Sequence, residues 1–205
     1  MNSRPNSIVI ATSNPGKLVE VVTILDGLRL KLLSLADFSN VIAVEESGAT
    51  FTENAVRKAQ EYARQTGHWS IADDSGLEVD ALGGAPGVMS ARFGGEGVSD
   101  AERVSCLLSR MESIPDEQRN GRFRCAIALA DFKGALIHLA HGTCEGKISF
   151  HPRGDQGFGY DSVFIPQNHK LTLAEMDLGV KNQLSHRAVA LSKLRHYLVE
   201  SIEQR

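Results

Sequence analysis

The chain has 205 residues, 42% of them hydrophobic and 23% charged, enough to bury a substantial core as one domain or as two lobes on a shared sheet. Its formal net charge of −3 excludes the broad basic face that nucleic acid or an anionic membrane surface needs, so an anionic ligand should be small and locally held. Three cysteines without a CxxC pair (Cys106, Cys125, Cys144), a polar start over residues 1–7 and the lack of a membrane-length apolar run point to a reducing, cytoplasmic setting.

Ile8, Val9, Ile10 and Ala11 predict a strand buried on both faces of a sheet. The polar loop Thr12-Ser13-Asn14-Pro15-Gly16-Lys17 follows, then a helix with apolar spacing at Leu18, Val21, Val22 and Leu25. Amides at a helix N-terminus beside a lysine ammonium make an anion site suited to phosphate. The loop is not the standard phosphate loop, which has Gly at the place of Ala11 and Ser or Thr at that of Leu18. Viewed alone, it reads more simply as a strand-to-helix turn with a solvated lysine.

Residues 30–35 and 41–44 predict two further short strands, which lead into the carboxylate pair of Glu45-Glu46-Ser47-Gly48. Thr50-Phe51-Thr52-Glu53 has capping-box spacing and opens a helix with Ala55, Val56, Ala59, Tyr62 and Ala63 on one face before Gly67. Asn54 and Lys58 lie one above the other on it, within reach of a ligand, although an exposed polar face is the simpler reading.

The centre of the chain is Ala72-Asp73-Asp74-Ser75-Gly76, between the apolar Trp69-Ser70-Ile71 and the alternating Leu77-Glu78-Val79-Asp80-Ala81. It reads as strand, turn, strand, with Gly76 in the turn. Adjacent carboxylates repel unless a cation, a shared proton or backbone amides offset the cost, which points to a divalent metal or an acid/base site. Two solvated turn aspartates are the alternative.

The turn-rich Gly83-Gly84-Ala85-Pro86-Gly87 is followed by Arg92 ahead of two glycines, a candidate anion contact. Ser99-Asp100-Ala101-Glu102 repeats the capping-box spacing and opens a helix to about Met111 with Val104, Leu107, Leu108 and Met111 inward. Phe123, Cys125, Ile127 and Leu129 alternate as a strand, and residues 131–134 turn the chain into a second strand at 135–140. His138 and His141 lack the setting of a zinc site. The loop of residues 152–161 holds two aromatics split by glycine, suited to stacking on a base or to covering the core, before a strand at 162–165. A short helix follows Thr172, and a final helix starts near Ser185 with Ala188, Leu191, Leu194, Tyr197, Leu198 and Ile202 as its apolar stripe. Lys181, His186 and Arg187 gather at its start, where a bound anion or a row of carbonyls would relieve their repulsion.

The order and wording of these motifs carry more than any one of them. Thr12-Ser13-Asn14-Pro15-Gly16-Lys17, Glu45-Glu46-Ser47-Gly48, Ala72-Asp73-Asp74-Ser75-Gly76, Gly83-Gly84-Ala85-Pro86-Gly87, Ser90-Ala91-Arg92, Gly157-Phe158-Gly159-Tyr160-Asp161 and Ser185-His186-Arg187 together resemble the inosine triphosphate pyrophosphatase family, also called the Ham1 or RdgB family, from Ile8 to Leu198. The resemblance implies an α/β fold with a long mixed β-sheet flanked by helices, two lobes around a nucleotide cleft, and a homodimer. It implies a Mg2+-dependent enzyme that cleaves ITP, dITP and XTP to the monophosphate and pyrophosphate. By motif, Thr12, Ser13, Asn14, Pro15, Gly16 and Lys17 hold the phosphates with Lys58 in support, Glu45 and Asp74 match the metal ligands, and Asp74 also matches the proton acceptor. Ser75 touches the substrate, while Phe158, Gly159, Tyr160, Asp161, Lys181, His186 and Arg187 match the base and sugar pocket.

Residue chemistry runs parallel to these assignments. Hydrolysis between the α- and β-phosphates needs neutralised oxygens, an oriented water and a base, tasks suited to a metal and an adjacent carboxylate. Arg187 has donors only, which match a 6-oxo group and leave the 6-amino group of adenine unpaired. Ser13 stands where the family often has Gly, and Gly179-Val180 where acidic residues are common, which touches loop geometry rather than chemistry. Two other readings compete: a nucleotide sensor without turnover, and a phosphatase acting on sugar phosphates or other nucleotides.

Overall fold

The computed structural model describes residues 5–203, with side chains to residue 201; part of the polar extension 1–7 and the Ile202 side chain therefore lie outside the described residues. The expected first strand is β1 (Ser7–Ile10), and Asn14 caps α1 (Pro15–Leu25) by accepting the Lys17 N–H at 3.1 Å, with Pro15 in the first turn. Glu20 rather than Val22 joins Val21 and Leu25 on the buried face of α1, and Val22 is exposed.

The strand expected over 30–35 is β2 (Lys31–Ser34), parallel to β1. Residues 41–44 do not form the second expected strand. Gln65 takes the Ile42 N–H at 2.7 Å and Tyr62 Oη the Val44 N–H at 3.3 Å, so side chains of α2 (Phe51–Thr66) satisfy the backbone that a neighbouring strand would have held. Thr50 caps α2 through the Glu53 N–H, and Gly67 ends it in the left-handed conformation.

The largest departure from expectation is at Asp73 and Asp74. Residues 69–79 form one continuous strand, β3 (Trp69–Val79), and both aspartates are buried inside it, so there is no turn at Gly76. Then come α3 (Asp100–Arg110), with Ser99 and Glu102 closing the expected capping box, β4 (Asn120–Ala130) and β5 (Leu136–Ile148), which runs further than the residues expected of it. Strand β6 (Phe164–Pro166) sits slightly later than expected, and α4 (Leu178–Leu184) precedes α5 (His186–Glu203).

The sheet order is β2-β1-β3-β4-β5-β6, with β1 parallel to β2 and β3, and β6 antiparallel to β5. The sheet is mixed, as expected. Two compact units make up the chain, the first from Met1–Asp74, Cys125–Gly142 and Arg187–Arg205, the second from Ser75–Arg124 and Thr143–His186. Each has its own core. In the first, Ile8, Ile10 and Ile71 pack with Val21, Ile127, Leu129, Leu191 and Leu194. In the second, Leu77 and Val79 pack with Leu107, Met111, Phe123, Phe164 and Tyr160. Among the described residues no helix is long and apolar enough to cross a membrane.

Candidate active site

A strand points successive side chains to opposite faces, so neighbouring aspartates in β3 are forced apart in direction and in environment. Asp73 Oδ2 meets Lys17 Nζ at 3.0 Å and Arg187 Nε at 3.1 Å. Burial would push the Asp73 carboxyl up, but Lys17, Arg187 and Lys58 outweigh it and hold it well below the usual carboxylate range. Asp74 faces α2: Asn54 Nδ2 donates to its Oδ2 at 2.9 Å, and Lys58 Nζ stands 3.8 Å from its Oδ1. Here burial wins, with Glu46 adding to it against Lys58 and Asn54, and the Asp74 carboxyl is pushed up. One pair of carboxylates thus has two protonation characters, set by which face of the strand each occupies.

The phosphate-loop residues lie where these carboxylates can use them. The Ala11 N–H donates to the Ile71 carbonyl at 2.7 Å, which seats residues 12–17 beside β3 two residues before Asp73. Thr12 Oγ1 accepts the Asn14 N–H at 3.2 Å, while Ser13, Asn14 and Pro15 are exposed and Gly16 and Lys17 half-buried. The Gly16 N–H at the start of α1 and the Lys17 ammonium share one end of the helix, the arrangement an anion needs. Behind it, Arg187 Nη1 pairs with Glu20 Oε2, both groups fully buried.

Lys58 closes the other side. Its Nζ lies 2.5 Å from Glu46 Oε1, and although burial works against its charge, Asp73, Asp74 and Glu46 raise it. Glu46 therefore faces the cluster, and Glu45 is exposed. Asn54 is buried rather than part of an exposed polar face, held by the Gly48 N–H donating to its Oδ1 at 2.7 Å. Glu20 gave no signal in the sequence except its place on α1 one turn after Lys17. Asn54 did, at helical spacing from Lys58.

The remaining motif residues belong to the second unit, apart from Arg187. Lys181 on α4 meets Asp161 Oδ2 at 2.8 Å, and its ammonium stands 4.8 Å from the centre of the Phe158 ring. The His186 ring stacks on Phe123 at 4.6 Å with 9° between planes. Tyr160 is buried, and Ser75 lies half-buried in β3. Each of the three residues expected to gather at the last helix has a partner of its own: Lys181 has Asp161, His186 has an aromatic face, and Arg187 has Asp73 and Glu20. Arg187 Nε and Nη1 are thus engaged as a counter-ion for Asp73 and Glu20.

Beside the Phe158 loop a cavity of about 850 Å3 opens, lined among others by Asp100, Val104, Leu108, Phe150 and Phe158. Gly157 is needed at its rim. Its φ is +80°, and an added Cβ would lie 2.2 Å from Asp161 Oδ2 and 3.2 Å from Lys181 Nζ. Gly157→Ala is expected to cost about 1–2 kcal/mol from the left-handed backbone alone, and more from the displaced Asp161, as a lowered urea midpoint checks.

The model of the Ham1 family matches residues 8–197. The chain belongs to the Ham1 family. A relative from Geobacter sulfurreducens named dITP/XTP pyrophosphatase is 49% identical over 191 residues, covering 93% of this chain and 96% of the relative. One of the same name from Desulforamulus reducens is 47% identical, covering 93% and 94%. Among solved structures, a HAM1 protein from Coxiella burnetii superposes with a TM-score of 0.87 at 43% identity, covering 95% of this chain and 98% of that one. The Ham1 protein of Staphylococcus aureus gives 0.84 at 34% identity, covering 95% and 99%.

Proposed function

We propose that this protein hydrolyses dITP and XTP, and ITP with them, to the nucleoside monophosphate and pyrophosphate. The observation that carries the reading is the likeness along 93% of the chain, at 49% identity, to a relative named for that activity. The charged cluster around Asp73 and Asp74 supports it chemically.

Among the described residues no three His, Cys, Asp or Glu side chains are placed to hold a metal ion by themselves. Mg2+ does not require that: one or two carboxylates suffice, with water and substrate phosphates completing its shell. Asp74 and Glu46, hard oxygen donors on either side of the Lys58 ammonium, fit such an ion, and Glu45 enters by motif. When bound, Mg2+ would neutralise charge on the phosphate oxygens.

The protein supplies the rest. Lys17 and the Gly16 N–H at the start of α1 hold phosphate oxygens, and Asp73 fixes the Lys17 ammonium. Asp74 Oδ1 takes the proton of the attacking water, while Asn54 keeps Oδ2 in place. A carboxylate whose proton affinity is raised by burial is the better base of the two. Base selection falls to the loop from Phe158 to Asp161 with Lys181, whose donors suit a 6-oxo purine and leave a 6-amino group unpaired.

A pyrophosphate-release assay with dITP, XTP, ITP, ATP and GTP, with Mg2+ and with chelator, tests this reading. Pyrophosphate should appear from the first three only, and only with metal. Orthophosphate as product would mean a phosphatase, and binding without product a sensor. A homodimer located in the cytoplasm completes the reading, and light scattering should give a mass near twice the 22.2 kDa of the chain.

A further inference from the structure

Gly157 and Gly159 have φ of +80° and +63°, a left-handed path whose amides find no partner in a regular ladder and so need side-chain acceptors. Two carboxylates provide them. The Phe158 N–H donates to Asp161 Oδ2 at 3.0 Å, and the Gly159 N–H to Asp100 Oδ2 at 2.6 Å. Asp161 lies within the loop itself, whereas Asp100 comes from the first turn of α3, 59 positions earlier.

Asp100 is itself held in place. Arg103 Nη2 pairs with its Oδ1, while Arg103 Nη1 donates to the carbonyls of Val98 at 2.8 Å and Ala91 at 3.0 Å. On the far side of the loop, Tyr160 Oη donates to the Ser90 carbonyl at 2.9 Å, and Ser90 Oγ accepts the Leu77 N–H of β3 at 2.9 Å. The Phe158 ring, with Lys181 on its face, is thus flanked by one peptide tied to Asp161 and one tied to Asp100. Capping does not explain Asp100, because Ser99 and Glu102 already close the start of α3.

We propose that Asp100 is a positioning residue for base recognition: by holding the Gly159 peptide from α3 it sets the plane of the Phe158 ring and the slot offered to a flat purine. The inference rests on the pyrophosphatase reading and adds to it a residue outside every motif that carries the resemblance. Its specific consequence is that the base end of the substrate depends on Asp100 and the phosphate end does not.

The test compares wild type with Asp100→Ala, Asp100→Glu and Asp100→Asn, reading KM and kcat for dITP and the inhibition constant of inorganic tripolyphosphate, which has the charge of the substrate without its base. Asp100→Ala should raise KM for dITP about tenfold, the scale of one charge-assisted hydrogen bond, with kcat within about twofold and tripolyphosphate inhibition unchanged. Asp100→Glu keeps the charge and the helix start but moves the acceptor, so it too should raise KM, a result readable even where the alanine variant fails to fold. Asp100→Asn retains an oxygen that accepts the Gly159 N–H and should recover most of the affinity. An unchanged KM in the alanine and glutamate variants, a tripolyphosphate constant that rises in step with KM, or an asparagine variant no better than alanine would each overturn the proposal. Absence of pyrophosphate release from dITP by the wild-type protein would overturn the underlying reading instead.

Discussion

Asp74→Asn is expected to lower pyrophosphate release from dITP by about 10²- to 10⁴-fold, the contribution of a positioned general base, while the fold survives. The structure explains both halves of this outcome. The amide oxygen of asparagine can still accept from Asn54 Nδ2, and the replacement removes a charge that burial already disfavours, so packing and hydrogen bonding inside β3 are retained. What is lost is the carboxylate that takes the proton, whose affinity for it burial raises. Asp73 cannot take its place, because Lys17 and Arg187 hold its negative charge on the other face of the strand. Turnover near the wild-type rate, with an unchanged thermal midpoint, would remove Asp74 from the proton transfer.

Arg187→Ala should have the largest effect on stability. It leaves two buried carboxylates, Glu20 and Asp73, without the cation that lies between them, and losing one partner of a buried ion pair costs about 3–5 kcal/mol. Urea unfolding measures the loss, and a midpoint within error of wild type would show that the network does not bear on stability. The ratio of specificity constants for ITP and ATP, measured on the same variant, divides its two assigned tasks. An unchanged ratio makes Arg187 a counter-ion for Asp73, and a narrowed one gives it a contact with the base as well.

Much of the fold could be read along the chain because its cues are local. The capping spacing at Ser99 and Glu102, the Thr50 cap and the Gly67 stop are each completed within one turn of backbone, and all three appear where expected. Alternation at Phe123, Cys125, Ile127 and Leu129 placed β4 for the same reason. Motif order also brings the family into view, since seven short stretches in one sequence order are specific where each alone is not.

Tertiary structure decided whatever depended on charges brought from a distance. In isolation Asp73-Asp74-Ser75-Gly76 prefers a turn, where carboxylates are solvated and their repulsion is screened. Lys17, Lys58, Asn54 and Arg187, contributed by three helices, supply the compensation instead, so the strand continues and separates the two aspartates onto opposite faces. The same long-range pairing turned Glu20 and Asn54 inward, placed Glu46 against Lys58, and gave Lys181 and Arg187 carboxylate partners. Local sequence sets backbone preference residue by residue. Which buried charge finds which partner depends on segments more than a hundred residues apart, and only the folded chain brings these together.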